Sequence, residues 1–154
     1  MSLDQLVTSA SRIVVGEVVA KSAAWDPSHR RIFSTIDVKI DECWKGAAQE
    51  IVTIVQPGGT VGEIEMTVHG MPKFTVGERM LLFLRGHTRF QVVGMAVGKR
   101  PLAWDASAKR WLVESADTES VVDVEVDGRL RHAAPAAPID LERLREQVRT
   151  LVGN

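Results

Sequence analysis

Residues 51–98 form a run of short alternating segments punctuated by glycine and proline, reading IVTIV-QPGG-TVGEIEMTVHG-MPKFTVGERMLLFL-RGHTRFQVVGMAVG. Ile64, Met66 and Val68 alternate with Glu63, Glu65, Thr67 and His69, the period-2 pattern of a half-buried strand. A helix would scramble those faces. Ile36, Val38 and Ile40 repeat the pattern against Thr35, Asp37, Lys39 and Asp41. The denser runs Ile13–Val15, Ile51–Val55, Met80–Leu84 and Gln91–Val93 have strand length and suit strands buried on both faces or at a barrel seam. Pro57-Gly58-Gly59, Gly70-Met71-Pro72, Gly77 and Gly86 mark reversals between them. Regular turns at this spacing predict a mainly β chain, a closed antiparallel OB-like barrel whose core includes Val14, Ile36, Val38, Ile54, Met66, Leu82 and Val93.

With 154 residues, 45% hydrophobic and 25% charged, the chain has the size and apolar content of one soluble domain. No apolar stretch approaches the roughly 20 residues that span a bilayer, so no membrane partner is expected. Residues 1–20 lack a basic region followed by a hydrophobic signal core. The single cysteine, Cys43, precludes an internal disulfide or a thiolate zinc cluster within the chain.

Helices are expected at both ends. Ser2 and Gln5 have capping-box spacing before the stripe Leu3, Leu6, Val7 and Ala10. Residues 101–132 are read as an added hairpin, Ala133–Pro138 as a stiff linker and 139–152 as a helix capped by Asp140. Ile139 and Leu144 stand at staple positions, and Gly153 suits a left-handed stop.

Charge is segregated in residues 85–131. Arg85, Arg89, Lys99, Arg100, Lys109 and Arg110 are accompanied by one acid, Asp105, and are followed by Glu114, Asp117, Glu119, Asp123, Glu125 and Asp127. A hairpin joining Arg110–Glu114 to Val121–Val126 would bring the two sets together as weak cross-strand pairs. The functional alternative is a nucleic-acid surface in which Trp104 and Arg100 contribute stacking and phosphate contacts. A net charge of −1 disfavours nucleic acid as the partner.

Catalytic constellations are absent from the sequence, and the chain is not expected to be an enzyme or to carry a cofactor. His29, His69, His87 and His132 are scattered. Glu63, Glu65 and His69 share one face of the predicted strand, the sharpest metal or acid–base hypothesis available. Glu65 and His69 would stand about 13 Å apart along a strand, too far for one ion, so a solvated face accounts better for them. Gly94 to Lys99 has three residues between its glycines where a phosphate loop has four, and is read as strand and turn. Trp25 precedes the turn Asp26-Pro27-Ser28, either as an exposed binding anchor or as a lid folded over the barrel end.

The order of motifs carries a resemblance. Ala10-Ser11-Arg12-Ile13-Val14-Val15-Gly16-Glu17-Val18, a Trp-containing hairpin, Ile36–Ile40 leading to Trp44-Lys45-Gly46, Gly58-Gly59, Gly70-Met71-Pro72 and Val76–Leu84 look like a family of uncharacterised exported bacterial proteins, over roughly residues 3–100. The layout more remotely resembles netrin-like modules typified by the tissue inhibitors of metalloproteinases, which are OB-type barrels with flanking helices. Those inhibitors chelate the protease zinc through an N-terminal cysteine, where this chain has Met1 and Ser2. The resemblance implies an exported, non-catalytic binding module with a protein partner, a secreted peptidase among the candidates. A nucleic-acid-binding OB domain and a small-ligand-binding barrel are the alternatives. The candidate binding residues are Trp25, Glu63, Glu65, His69, Arg100 and Trp104.

Overall fold

The computed structural model describes residues 2–114, 122–126, 129–133 and 138–153, with 122–126 and 129–133 described through their backbone. Helix α1 (Leu3–Ser9) opens the chain with the expected box: Gln5 N–H donates to Ser2 Oγ and Ser2 N–H to Gln5 Oε1. Two 14-residue strands follow, β1 (Arg12–Trp25) and β2 (Ile32–Lys45), then β3 (Ile51–Pro57). The short β4 (Gly59–Val61) and β5 (Ile64–Met66) precede β6 (Arg79–Gly86) and β7 (Phe90–Val92).

Strands β1, β2, β3, β7 and β6 close into a five-stranded barrel in that order, because β6 also pairs with β1. Four of the five seams are antiparallel; β3 meets β7 in parallel at Ile54↔Phe90. Closure bends β1, whose register with β2 shifts between Ile13 and Val14, Val15 and Gly16, and Val18 and Ala20. Gly16 sits at the second shift, where a Cβ would lie 2.5 Å from Lys39 O. Only a residue without a side chain permits that approach.

Alternation along β1 and β6 supplies two cores. Val14, Val18, Met80, Leu82 and Leu84 point into the barrel with Ile36, Val38, Ile54 and Phe90. Ile13, Val15, Leu81 and Phe83 belong to a second cluster with Leu6 and Val7 of α1. Both faces are therefore covered, which is why these two runs are continuously apolar. The same expectation fails for Ile51–Val55: Ile51 is exposed while Val52 and Ile54 are buried, so β3 alternates like an ordinary half-covered strand.

The second cluster also contains Leu141, Leu144 and Val148 of helix α2 (Leu141–Val152). Its path there begins after Gly94, where residues Met95–Gly98 make a 3-10 turn instead of the expected strand. Strand β8 (Lys99–Asp105) pairs with β6 and with β9 (Arg110–Val113), and β12 (Ile139–Asp140) pairs with β9. The expected Arg110–Glu114 to Val121–Val126 hairpin does not form: β10 (Val122–Val126) pairs with β11 (Arg129–Ala133). The acidic segment thus pairs with the strand that follows it in sequence, in the register Val124↔Arg131. Most of the expected linker, 134–137, lies outside the described residues.

Asp140 caps α2 by accepting from Glu142 N–H at 2.8 Å and Arg143 N–H at 3.4 Å. Ile139 is strand and exposed, and Gly153 has φ −73°, so the helix stops with an αR residue whose N–H donates to Arg149 O at 2.8 Å. Arg145 binds Glu42 at 2.8 Å and lies over Trp44, fastening α2 to β2.

The predicted core is correct for Val14, Ile36, Val38, Ile54, Leu82 and Val93, all buried. It is wrong for Met66. Residues 63–69 do not form a barrel strand; Ile64 is 54% exposed, Met66 and Val68 are half-buried, and regular pairing stops at Met66. β4 and β5 make a separate two-stranded ribbon outside the barrel sheet. Leu82→Ala should therefore cost about 2–5 kcal/mol in denaturant melts, whereas Ile64→Ala should stay within about 0.5 kcal/mol. Burial acts to raise the Asp140 carboxyl, but the Glu142 and Arg143 N–H groups and Arg110 outweigh it and hold it below its ordinary 3.8. A carboxyl lowered by folding stabilises above its unfolded value and loses that effect as pH falls through the folded value. Asp140→Ala should lower the melting temperature at neutral pH, and the gap from the parent should shrink below about pH 4.

Candidate functional site

The ribbon crosses the barrel end where β1 runs out and β2 begins. Gly58 N–H donates to Ile32 O at 2.8 Å and Ser34 Oγ donates to Gly58 O at 2.7 Å, pinning the ribbon's root to β2. Gly59 makes the crossing possible. Its φ is 137°, and a Cβ there would meet Ser34 Oγ at 2.6 Å and Ala23 Cβ at 2.9 Å.

From Met66 the chain returns to β6 through residues 67–78, a strap without helix or strand. Main-chain bonds hold its ends, Ala96 N–H donating to Gly70 O and Gly77 N–H to Val18 O, and side chains hold the backbone between them. Three successive carbonyls accept hydrogen bonds from three different barrel-sheet strands: Pro72 O from Gln56 Nε2 of β3 at 2.8 Å, Lys73 O from Lys99 Nζ of β8, and Phe74 O from Lys21 Nζ of β1 at 3.0 Å. Lys99 is 1% exposed, donates also to Glu78 Oε2 at 2.9 Å and lies over the Phe74 ring at 5.1 Å. Phe74 is buried with the barrel core. The ammonium is thus compensated by the Glu78 carboxylate, the Lys73 carbonyl and an aromatic face, as a buried charge requires.

Between ribbon, strap and barrel end lies a groove of about 820 Å3. Its lining comes in unbroken runs: 21–23 on β1, 56–60 through the ribbon's root, 65–68 leaving β5, and 71–76 in the strap. A strand showing one face contributes every second residue, so the unbroken run 21–23 on β1 brings main chain as well as side chain to the groove, whereas 67–68 and 71–76 line it from a segment without strand structure. Lys21 and Lys73 carry its positive charge and Glu65 its negative charge.

Of the candidate residues, Glu65 alone lines this groove. Glu63 lies in the turn between β4 and β5, and His69 in the turn before Gly70; both are exposed. The three therefore occupy a turn, a strand and a second turn, not one strand face. Among the described residues no group of three His, Cys, Asp or Glu side chains is placed to hold a metal ion.

Trp25 ends β1 and is half-buried, stacked on His29 at 4.3 Å within its own hairpin. That turn is held by Asp26, whose carboxyl is lowered by the Ser28 hydroxyl and by the N–H groups of Arg31 and Arg30. Arg100 is half-buried and its Nε donates to Val97 O at 3.0 Å; burial pushes its guanidinium below the ordinary value. Trp104 is 53% exposed, packed edge-on against Trp111 at 5.3 Å, and Arg79 lies over Trp111. Neither Arg100 nor Trp104 borders the groove.

Sequence reasoning missed Lys21, Gln56, Phe74 and Lys99. Phe74 left a faint signal, one aromatic in a loop bounded by Pro72 and Gly77. The three donors left none, since each long polar side chain reads locally as a solvated surface residue. No known protein-family model matches this chain, and no curated protein is similar to it at a significant level.

Lys99→Met keeps the bulk of the side chain but takes the donor from Lys73 O and Glu78. Leaving buried acceptors unmet should cost about 1–3 kcal/mol in denaturant unfolding. Backbone amides of the strap should exchange faster while those of β6 keep their protection.

Proposed function

We propose that this protein is a non-catalytic exported binding module that takes a protein partner at the open end of its barrel. The observation that carries the reading is the groove walled by main chain between ribbon and strap. A main-chain wall offers donors and acceptors that suit another polypeptide, the mode by which exposed strand edges recruit partners. Export rests on the resemblance of residues 3–100 to a family of exported bacterial proteins, and a secreted peptidase as partner on the remoter resemblance to netrin-like modules. Counting only the barrel strands, the spatial order first, second, third, fifth, fourth supports the OB and netrin-like reading of the fold.

Charge favours protein over nucleic acid as the ligand. Two lysines and a glutamate line the groove, and Lys21 is already committed to Phe74 O. Polyanion sites depend on several unpaired cations along the backbone track. The nucleic-acid alternative draws on the exposed Trp104 beside Trp111 and Arg79, a stacking surface on the β8–β9 hairpin. The groove volume lies within the roughly 300–1,000 Å3 of small-ligand sites, which keeps a small-ligand barrel as the third reading.

Titration with labelled single-stranded oligonucleotides at low salt separates the first two. We expect no saturable binding in the roughly 10⁻⁶–10⁻⁴ M range of non-specific contacts. Binding in that range, weakening steeply with salt and abolished by Arg100→Ala with Trp104→Ala, would replace the protein reading with the nucleic-acid one. In parallel, the immobilised chain should retain a protein from the native secretome, and failure to retain any under low- and high-salt washes counts against the proposal.

A further inference from the structure

We infer that the groove accepts an extended segment of a partner polypeptide as a strand added to the outer edge of β5. This rests on the protein-binding reading and names the partner's conformation and its seat. β5 pairs with β4 on one side, Gly59↔Met66, Thr60↔Glu65 and Val61↔Ile64, and no other described strand pairs with it. Its continuation through Thr67 and Val68 lines the groove without a break. β5 itself offers three positions, Ile64–Met66, an edge of roughly 10 Å that Thr67 and Val68 prolong without regular strand structure. An edge of this kind is usually blunted by charge, proline or a bulge; here Glu65 is the one charged residue along it.

The far wall is prepared for such a guest. The Pro72, Lys73 and Phe74 carbonyls are held by Gln56, Lys99 and Lys21, so the strap is ordered before anything binds. Ordering costs that would oppose association are thereby reduced. Val76, 60% exposed, borders the groove from the strap, and the half-buried Val68 borders it from the continuation of β5. An extended segment with apolar side chains at alternate positions can cover these two while its backbone pairs with β5. Glu65 on one wall and Lys73 on the other complement a chain of mixed charge better than a polyanion.

The probe is a phage-displayed library of random linear heptapeptides selected on the full chain, with the selected peptides then synthesised. N-methylation of the bound peptide should lower affinity at alternate positions only, by about 2- to 12-fold for each main-chain hydrogen bond removed. Peptide binding should protect the amides of residues 65–68 from exchange. Val76→Asp, at a surface position, should weaken binding, whereas Trp104→Ala should leave it unchanged.

Peptides that bind but tolerate N-methylation at every position and ignore Val76→Asp would overturn strand addition while leaving a protein-binding module. A library yielding no binder overturns it as well; if the secretome partner is nonetheless retained, the protein reading survives, and if not, both fall. A concentration-dependent dimer in sedimentation, abolished by Val76→Asp, would overturn it in favour of a second copy of this chain as the guest.

Discussion

Closure of the barrel through β1 is the constraint on which the rest of the structure depends. One 14-residue strand pairs with β2 along nearly its whole length and with β6 through Arg12–Glu17. A strand with neighbours on both edges has no free main-chain groups at that stretch, so its remaining freedom is which way its side chains face. Apolar residues on both faces turn that into two cores, one inside the barrel and one beneath α1 and α2. The bends that allow closure fall at the register shifts, with Gly16 at the tightest approach to β2. Beyond Glu17 the β6 pairing ends, and β1 continues as an arm to Trp25 paired with β2, whose other edge carries β3 as far as Phe33↔Pro57.

That arm explains why the groove is where it is. Past the last β6 pair, the sheet no longer covers its own end, and the barrel needs a plug. Phe74 supplies one, but it sits in a segment without sheet or helix hydrogen bonds to hold it. A buried backbone must find other partners. Gln56, Lys99 and Lys21 answer that demand from three strands, and Lys99 carries its charge inside to do so. Burying an ammonium is unfavourable unless several groups compensate it. The acceptors supplied by Glu78 and Lys73, together with the Phe74 ring, meet that condition. Strap and plug are thus one device, and the groove is the space left between it and the ribbon.

The barrel was legible in the sequence because its signals are local. Ile36, Val38 and Ile40 carry their burial in a two-residue period, and β1 and β6 carry theirs in unbroken apolar runs. The same rule misplaced Ile64, Met66 and Val68, since alternation reports that a segment is amphipathic and extended, not which surface covers its apolar side. Gly59 decides that instead, by letting the ribbon cross over Ala23 and Ser34 rather than join the barrel sheet. The charge blocks misled for a related reason. They were assigned to each other across β9, whereas the shorter connection from Val126 to Arg129 provides the acidic strand's partner. The site was barely legible, because Lys21, Gln56 and Lys99 are far apart in sequence and gain their role only once the barrel has brought them to one strap.

A clasp made of side-chain donors has a consequence for recognition that a hydrogen-bonded strand would not have. Had residues 71–76 been a strand paired on both edges, the barrel end would be sealed. With its carbonyls engaged by Gln56, Lys99 and Lys21, the strap is fastened to the barrel while the space toward β5 is left open. A fastened wall on one side and an unpaired edge on the other is the combination that lowers the ordering cost of taking up an extended chain. The buried lysine is intelligible as the group that lets Phe74 plug the barrel end while the space toward β5 stays open.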